Sequence, residues 1–252
     1  MIVGIIQARM GSTRLPGKVM MPIHGKSILE LCLQRLSRST KVDAWIVATT
    51  VDSKDDVIET YCINHNILCY RGSEDDVLDR FYKAYQKLAS DATTIVRICC
   101  DNPTHDGAVV DFCIEEFLKL GVDYFSNGNE PPQYSQDGIT AEVFTSASLV
   151  EAWEKSKMQS EREHVTPYIK KNPQFKKSWR KFDDRYKFKL SVDNENDFKL
   201  NEIIFKELGD TFTTAQLIDF LETHEEISKI NSTSIINEGY LKSLREDKEI
   251  RS

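Results

Sequence analysis

No apolar run in the 252-residue sequence approaches the roughly 20 residues that a membrane-spanning helix requires, so no membrane is expected among its partners. The six cysteines, Cys32, Cys62, Cys69, Cys99, Cys100 and Cys113, include no CxxC pair, and the paired spacings of a zinc site are missing. They fall in apolar runs and read as reduced core residues, as expected of a cytoplasmic protein. Cys99 and Cys100 are neighbours on a predicted strand and point to opposite faces, which disfavours a disulfide between them. No charged n-region or cleavage site precedes the first apolar run, which supports the same cytoplasmic expectation. Positive charge is not in excess: 33 basic and 40 acidic residues give a net charge of −7. An acidic chain is a poor general binder of nucleic acid, where phosphate contacts dominate affinity, so no nucleic-acid partner is expected. Internal repeats, low-complexity tracts and clear linkers are also missing.

What remains is an ordinary globular composition, long enough to bury a full core in one large α/β domain or two small ones. One stretch stands out, residues 7–18. It follows Ile2-Val3-Gly4-Ile5-Ile6, an apolar run that reads as a buried strand. It carries Arg9, Arg14 and Lys18, the hydroxyls of Ser12 and Thr13, and the glycines Gly11 and Gly17. Glycines let a backbone approach a ligand closely, and successive amides can form an anion-binding nest. Hydroxyls and cations add hydrogen bonds and charge. The stretch therefore reads either as a loop that wraps a triphosphate or as a basic surface turn.

The order of elements bears on that choice. Ser27 is placed to cap a helix over 28–36, with Gln34, Arg35 and Arg38 toward solvent. Strands are predicted at 43–50, 67–70, 94–99 and 122–126. Helices are predicted after Asp52-Ser53, over 77–88 and from about Gly107 to Leu120. Ser73 and Asp76 have the spacing of a capping box. About five strand–helix alternations mean a doubly wound, mostly parallel sheet with helices on both faces. Ligands bind such sheets beyond the carboxyl ends of the strands. The opening loop, the turn at Arg71 and Asp101 all follow strand ends, so they converge on one rim. Strand alternation puts Arg97, Cys99 and Asp101 on one side.

The second half is less regular. A polar loop is expected over 127–136, with Pro131-Pro132, then a strand over 139–144 and a helix over 146–157. A helix from about Ser160 contains Pro167, which kinks it or marks its true start. Lys176, Lys177, Arg180 and Lys181 around Trp179 read as a surface strand. An alternating strand over 188–193 ends in Asp193. Helices follow over 195–208 and from Thr213, and the charged tail from about 222 is expected to fray.

Five segments of the chain resemble the sugar nucleotidyltransferases that make CMP-activated sugars, in particular the branch of spore coat polysaccharide biosynthesis protein F. They are QARMGSTRLPGK at 7–18, VATT at 47–50, RGSEDDVLDRF at 71–81, RICCDNP at 97–103 and EREHVTPYI at 161–169. SVDNENDF at 191–198 supports them, and the likeness covers about residues 1–205. The resemblance implies a three-layer α/β/α fold of the Rossmann-like, GT-A-like type. It implies Mg²⁺-dependent transfer of CMP from CTP to a sugar or sugar-acid acceptor, with release of pyrophosphate. It assigns phosphate contacts to Arg9, Gly11, Ser12, Thr13, Arg14 and Lys18, with Arg9, Lys18 and Asp101 as catalytic residues. It assigns metal binding to Asp101 and Asp193. It also implies a homodimer, a nucleotidyltransferase domain over 1–222 with a dimerisation or acceptor segment at about 127–182, and a helical extension over 223–252.

The residue types suit that chemistry. CTP brings about four negative charges, and charge develops on the leaving pyrophosphate. Mg²⁺ takes one or two carboxylates together with phosphate oxygens and waters. Base contacts are expected from Ala8, the backbone near Thr49-Thr50, and Arg71 or Ser73, with Arg97 as a further nucleotide contact. Acceptor contacts are expected from Asn127, Glu142, Glu163 and His164, the last as a general base or a packed histidine. The sequence departs from the branch at Cys100, where a small residue is usual, and at Thr104 and His105, where apolar residues are usual. These departures bear on acceptor choice. Two alternatives remain: a GT-A-type glycosyltransferase, which would usually show an Asp-x-Asp element that this chain lacks, and a non-catalytic nucleotide-binding protein.

Overall fold

Ile5 and Ile6 are adjacent on the first strand, both fully buried, yet they belong to two different hydrophobic clusters. The same split recurs at Ile46 and Val47 and at Ile95 and Val96. Period-2 alternation thus feeds a core on each face of one sheet. The computed structural model describes residues 1–128, 136–236 and 238–251. In chain order the elements are β1 (Ile2–Gln7), a small hairpin of β2 (Pro22–Ile23) and β3 (Lys26–Ser27), α1 (Ile28–Leu36), β4 (Ala44–Thr50), α2 (Asp56–Asn64), β5 (Leu68–Gly72), α3 (Val77–Leu88), β6 (Thr94–Cys99), α4 (Gly107–Leu120) and β7 (Tyr124–Ser126). Then come β8 (Glu142–Thr145), α5 (Ser146–Lys155), α6 (Gln159–His164), α7 (Pro167–Lys171), β9 (Lys177–Trp179), α8 (Glu195–Leu208), α9 (Thr214–Thr223), α10 (Glu225–Ser228) and α11 (Glu238–Arg251). One core takes Leu29 and Cys32 of α1, Cys113 of α4, Ile204 of α8 and Leu217 of α9. The other takes Phe81 of α3, Leu149 of α5 and Ile169 of α7.

The main sheet has seven strands in the order β5-β4-β1-β6-β8-β7-β9. The neighbours β5, β4, β1 and β6 run parallel. The alternation of elements implied that β7 would extend this parallel run. Instead β8 returns antiparallel between β6 and β7. Its register sets Glu142 opposite Arg97, and their buried ion pair joins the two strands.

Local rules explain most boundaries. Ser27 caps α1 by accepting the Glu30 amide at 3.1 Å. Pro167 is the first residue of α7 rather than a kink in a longer helix. Asn194 and Asp197 form a reciprocal capping box on α8, as do Thr213 and Gln216 on α9. At α3 the expected Ser73–Asp76 box is displaced by one turn: Asp76 is the cap and accepts the Asp79 amide, while Ser73 accepts the Asp76 amide.

Three other expectations are corrected. Arg35 is fully buried, not turned to solvent. It donates to the carbonyls of His105, Asp210 and Phe212 and lies on the Phe212 ring, so backbone oxygens and a π-face replace water. Residues 188–193 form no strand. Phe188, Leu190 and Val192 point into the core, but the backbone is held by Asp137, which accepts the Leu190 and Ser191 amides. The C-terminal tail does not trail away over 238–251. There α11 packs on α6, and Asp247 accepts the Ser160 amide at 3.1 Å. Of the loop expected over 127–136, residues 129–135, with both prolines, lie outside the described residues. Among the described residues no helix is long and apolar enough to cross a membrane.

Candidate active site

Residues 8–18 leave the carboxyl end of β1 and turn back toward the sheet. The buried carboxylate of Asp55 anchors the turn, accepting the Met10 amide at 2.7 Å and the Thr50 amide at 3.1 Å. The Met10 carbonyl then accepts the amides of Ser12 and Gly17, both at 2.9 Å. Gly17 has φ +74°, a left-handed conformation that a side chain disfavours, and it directs Lys18 inward. Within this folded loop the amides of Arg9, Gly11, Thr13 and Arg14 have no acceptor among the described residues. Four unpaired amides beside three cations make a strong anion cradle.

The loop forms one wall of a cleft of about 800 Å³. Its floor is the end of β6, with Cys99, Cys100 and Asp101. Lys18 and Asp193 lie between loop and floor, and Glu163, His164 and α11 close the far side. The Lys18 ammonium lies 2.8 Å from Asp101 Oδ2, 3.1 Å from Asp193 Oδ1 and 2.6 Å from the Val192 carbonyl. Burial disfavours its charge, but the two carboxylates outweigh burial and raise its pKa above the ordinary value. Asp193 also meets Arg14 at 2.9 Å and Lys189 at 3.0 Å. Burial would raise this carboxyl's pKa, but Lys18, Lys189 and Arg14 together hold it down to about 2. Arg14 is also paired with Glu238 of α11, and Arg9 with Glu74 at 3.4 Å.

The expected site residues divide into two groups. Ala8, Arg9, Ser12, Thr13, Arg14, Lys18, Asp101, Asp193, Glu163 and His164 line the cleft, and Gly11 lies within its loop. Arg71, Ser73, Arg97, Asn127 and Glu142 do not line it. Arg71 reaches outward to Asp56 and Glu59 and donates to the Thr50 and Asp52 carbonyls. Ser73 is spent on the turn before α3. Arg97 lies under the floor, bound to Glu142 and Gln7. Glu142 is buried among Arg97, Lys170, Tyr124 and Thr166, and its cationic neighbours hold it ionised against the effect of burial. Asn127 bonds to Gln136, Ile139 and Ala141 inside the protein. The Ala8 amide is taken by the Ala48 carbonyl, and Thr49 is fully buried.

The departures at Thr104 and His105 are also away from the cleft. Thr104 donates to the Gly138 carbonyl, and His105 is buried against the Cys99 carbonyl. At the cleft wall, Ser243 of α11 lies 3.0 Å from His164 Nε2 and 2.6 Å from Glu163 Oε2. Burial, with Arg97 and Lys170 nearby, pushes the His164 pKa down to about 3, so the imidazole is neutral at neutral pH. Sequence reasoning missed Asp55, Lys189, Asp197 and α11. Asp197 is fully buried and accepts from Lys189 and from the Asp193 amide, so it holds the residues that hold Asp193. Lys189 sits on the polar phase of the alternation at 188–193, where a solvent-facing lysine is ordinary, so nothing in the pattern signals its burial.

The sequence matches the cytidylyltransferase family over residues 3–247. It is 40% identical over 240 residues to an uncharacterized protein of Methanocaldococcus jannaschii, covering 92% of this chain and 94% of that one. It is 30% identical over 235 residues to the spore coat polysaccharide biosynthesis protein SpsF of Bacillus subtilis, covering 89% of this chain and 95% of that one. The solved cytidylyltransferase of Leptospira borgpetersenii superposes with a TM-score of 0.83 at 28% identity, over 93% of this chain and 98% of that chain. A CMP:2-keto-3-deoxy-manno-octonic acid synthetase solved with CTP shares the fold, with a TM-score of 0.61 at 15% identity over 82% of this chain and 99% of that chain. The seven-stranded sheet with a helical layer on each face and a family match along nearly the whole sequence agree: this chain belongs to the cytidylyltransferase family.

Proposed function

We propose that this cleft transfers a cytidylyl group from CTP to a hydroxyl of a sugar or sugar acid and releases pyrophosphate. The observation that carries the reading is the Lys18 ammonium, held between Asp101 and Asp193 beneath a loop with four unpaired amides. The amides of Arg9, Gly11, Thr13 and Arg14 take phosphate oxygens. Lys18 and Arg14 face the charge that grows on the leaving pyrophosphate as the acceptor oxygen attacks the α-phosphorus. The pre-set carboxylates keep Lys18 charged and oriented, so little reorganisation accompanies the reaction.

Mg²⁺ belongs to the same reading. Among the described residues no cluster of three or more His, Cys, Asp or Glu side chains is suited to a metal. Asp101 nevertheless fits Mg²⁺, which takes few protein carboxylates and fills its shell from phosphate and water, and Asp193 would join it by exchanging one of its contacts to Lys18, Arg14 or Lys189 for the ion. Oδ1 of Asp101 has no partner among the described residues, and its side chain is 29% exposed in the cleft. When bound, the ion would offset phosphate charge and polarise the phosphoryl oxygens. The acceptor would lie toward Glu163 and His164. The donor is supported by the family and by the CTP-bound structural relative; the acceptor class is supported by the names of the relatives. A homodimer in the cytoplasm completes the reading, and light scattering would test it by returning twice the 29.0 kDa chain mass.

The test is pyrophosphate release from CTP and Mg²⁺ with a panel of sugar acids and phosphorylated polyols. Release with at least one acceptor is expected. No release with any of them, together with transfer from a nucleotide sugar, would reverse the assignment.

A further inference from the structure

The hydroxyl of Ser243 has one hydrogen and three polar neighbours. It is buried on the side of α11 that meets α6. Glu163 Oε2 lies at 2.6 Å, His164 Nε2 at 3.0 Å and the Gly239 carbonyl at 3.1 Å. The carboxylate and the carbonyl can only accept, so the hydroxyl hydrogen points to one of them, and the charged carboxylate is the nearer. An unprotonated Nε2 would then set its lone pair against those of the hydroxyl oxygen. Nε2 therefore carries a hydrogen and donates it to Ser243 Oγ. The ring is neutral at neutral pH, so its other nitrogen, Nδ1, keeps a lone pair. Among the described residues Nδ1 has no hydrogen-bond partner, and it is not one of the enclosed polar atoms. His164 lines the cleft, and the Tyr240 ring packs edge-on against it at 5.0 Å. Glu163 lines the same wall, and its Oε1 has no partner among the described residues.

Nδ1 and Oε1 can accept from a ligand O–H group and can donate nothing to a carboxylate or phosphate oxygen. We propose that Ser243 is a positioning residue that locks His164 in the Nε2–H tautomer, and that the Nδ1 lone pair so presented accepts a hydrogen bond from a hydroxyl of the acceptor substrate. The inference rests on the reading of the cleft as a cytidylyltransferase site. Without Ser243 both tautomers of the ring are allowed, and only one of them accepts at Nδ1. A ring with so low a pKa is a weak base, so its task is to orient the hydroxyl rather than to take its proton. A ribose hydroxyl of the nucleotide shares the required chemistry, and the affinity for CTP separates the two sources.

The test has a spectroscopic and a kinetic arm, both on the full chain. Nitrogen–hydrogen correlation NMR of the free protein reads the tautomer of its five histidines, with His164 assigned by the signals lost in His164→Gln. His164 is expected as the Nε2–H tautomer in the wild type and as a mixture in Ser243→Ala. An Nδ1–H tautomer in the wild type, or an unchanged spectrum in Ser243→Ala, would overturn the inference. The kinetic arm is pyrophosphate release with CTP, Mg²⁺ and the most active member of the sugar-acid and polyol panel. Ser243→Ala is expected to raise the KM for that acceptor about tenfold, the worth of one hydrogen bond, and to leave calorimetric CTP affinity within about twofold of wild type. Ser243→Thr, which keeps the hydroxyl, is expected to keep the wild-type tautomer and KM. An unchanged acceptor KM in Ser243→Ala would overturn the inference, and so would an equal fall in CTP affinity, which would assign Nδ1 to the ribose. No pyrophosphate release by the wild type with any acceptor would instead overturn the reading of the cleft itself, whatever the tautomer.

Discussion

Lys18 and Asp101 carry the most consequence for their size. Lys18→Ala removes the cation that the proposed reaction sets against the leaving group and leaves Asp101 and Asp193 without it. Loss of such a preorganised group costs about 10²- to 10³-fold in turnover, and Asp101→Asn is expected to fall in the same range. Steady-state pyrophosphate release measures both, with circular dichroism to show an intact fold. A second prediction concerns acid stability. Burial lowers the His105 pKa to about 4, and burial with Arg97 and Lys170 lowers that of His164 to about 3. Both lie below the unfolded value of about 6.5, so the folded state binds fewer protons. Stability from the neutral rings is complete above about pH 6.5 and is lost as pH falls toward 4 and then 3. Denaturant melts at pH 7.5, 5.5 and 4.0 should show that loss, and His164→Gln should flatten it; an unchanged slope would remove His164 from the account. The lowered Asp193 pKa adds a further loss below about pH 4. At this scale the loop residues were legible because glycines, hydroxyls and cations occur together in one short run. Arg71, Arg97 and Glu142 were misplaced because a charged residue near a strand end looks the same whether it meets a ligand or a buried ion partner.

Elements follow their local rules closely enough to test singly. Ser27→Ala removes the cap of α1 and should cost about 1 kcal/mol. Gly107→Ala should cost more, roughly 1–3 kcal/mol, because its Cβ would lie 2.3 Å from the Ser39 amide nitrogen, and backbone cannot turn aside as a side chain can. Urea unfolding of the two variants checks both magnitudes and their order. Strands β1, β4, β5 and β6 and their helices were readable from alternation and helical spacing. Residues 188–193 were not, although their pattern is that of a strand. Alternation records which side chains are buried, and says nothing of what the backbone bonds to; here the Asp137 carboxylate replaces a neighbouring strand. The insertion of β8 between β6 and β7 was hidden for the same reason, since pairing order is a long-range property.

At the scale of the whole molecule, the cleft is assembled from parts distant in sequence. The opening loop supplies the anion cradle, the 188–193 segment brings Asp193 and Lys189 beneath it, and α11 closes the side through Glu238 and Ser243. The C-terminal helix carries too few apolar residues to advertise its packing, and its role became visible only through Asp247, Ser243 and Glu238. The opening loop and the 188–193 segment meet at Lys18, so the central claim can be tested without knowing the acceptor. Titration calorimetry of the full chain with each of the four nucleoside triphosphates, in Mg²⁺, is the most direct measurement. The expected result is one CTP bound per chain, at least tenfold tighter than the other three, with binding lost in Lys18→Ala. Equal affinity for all four nucleotides, or CTP binding that survives Lys18→Ala unchanged, would contradict it.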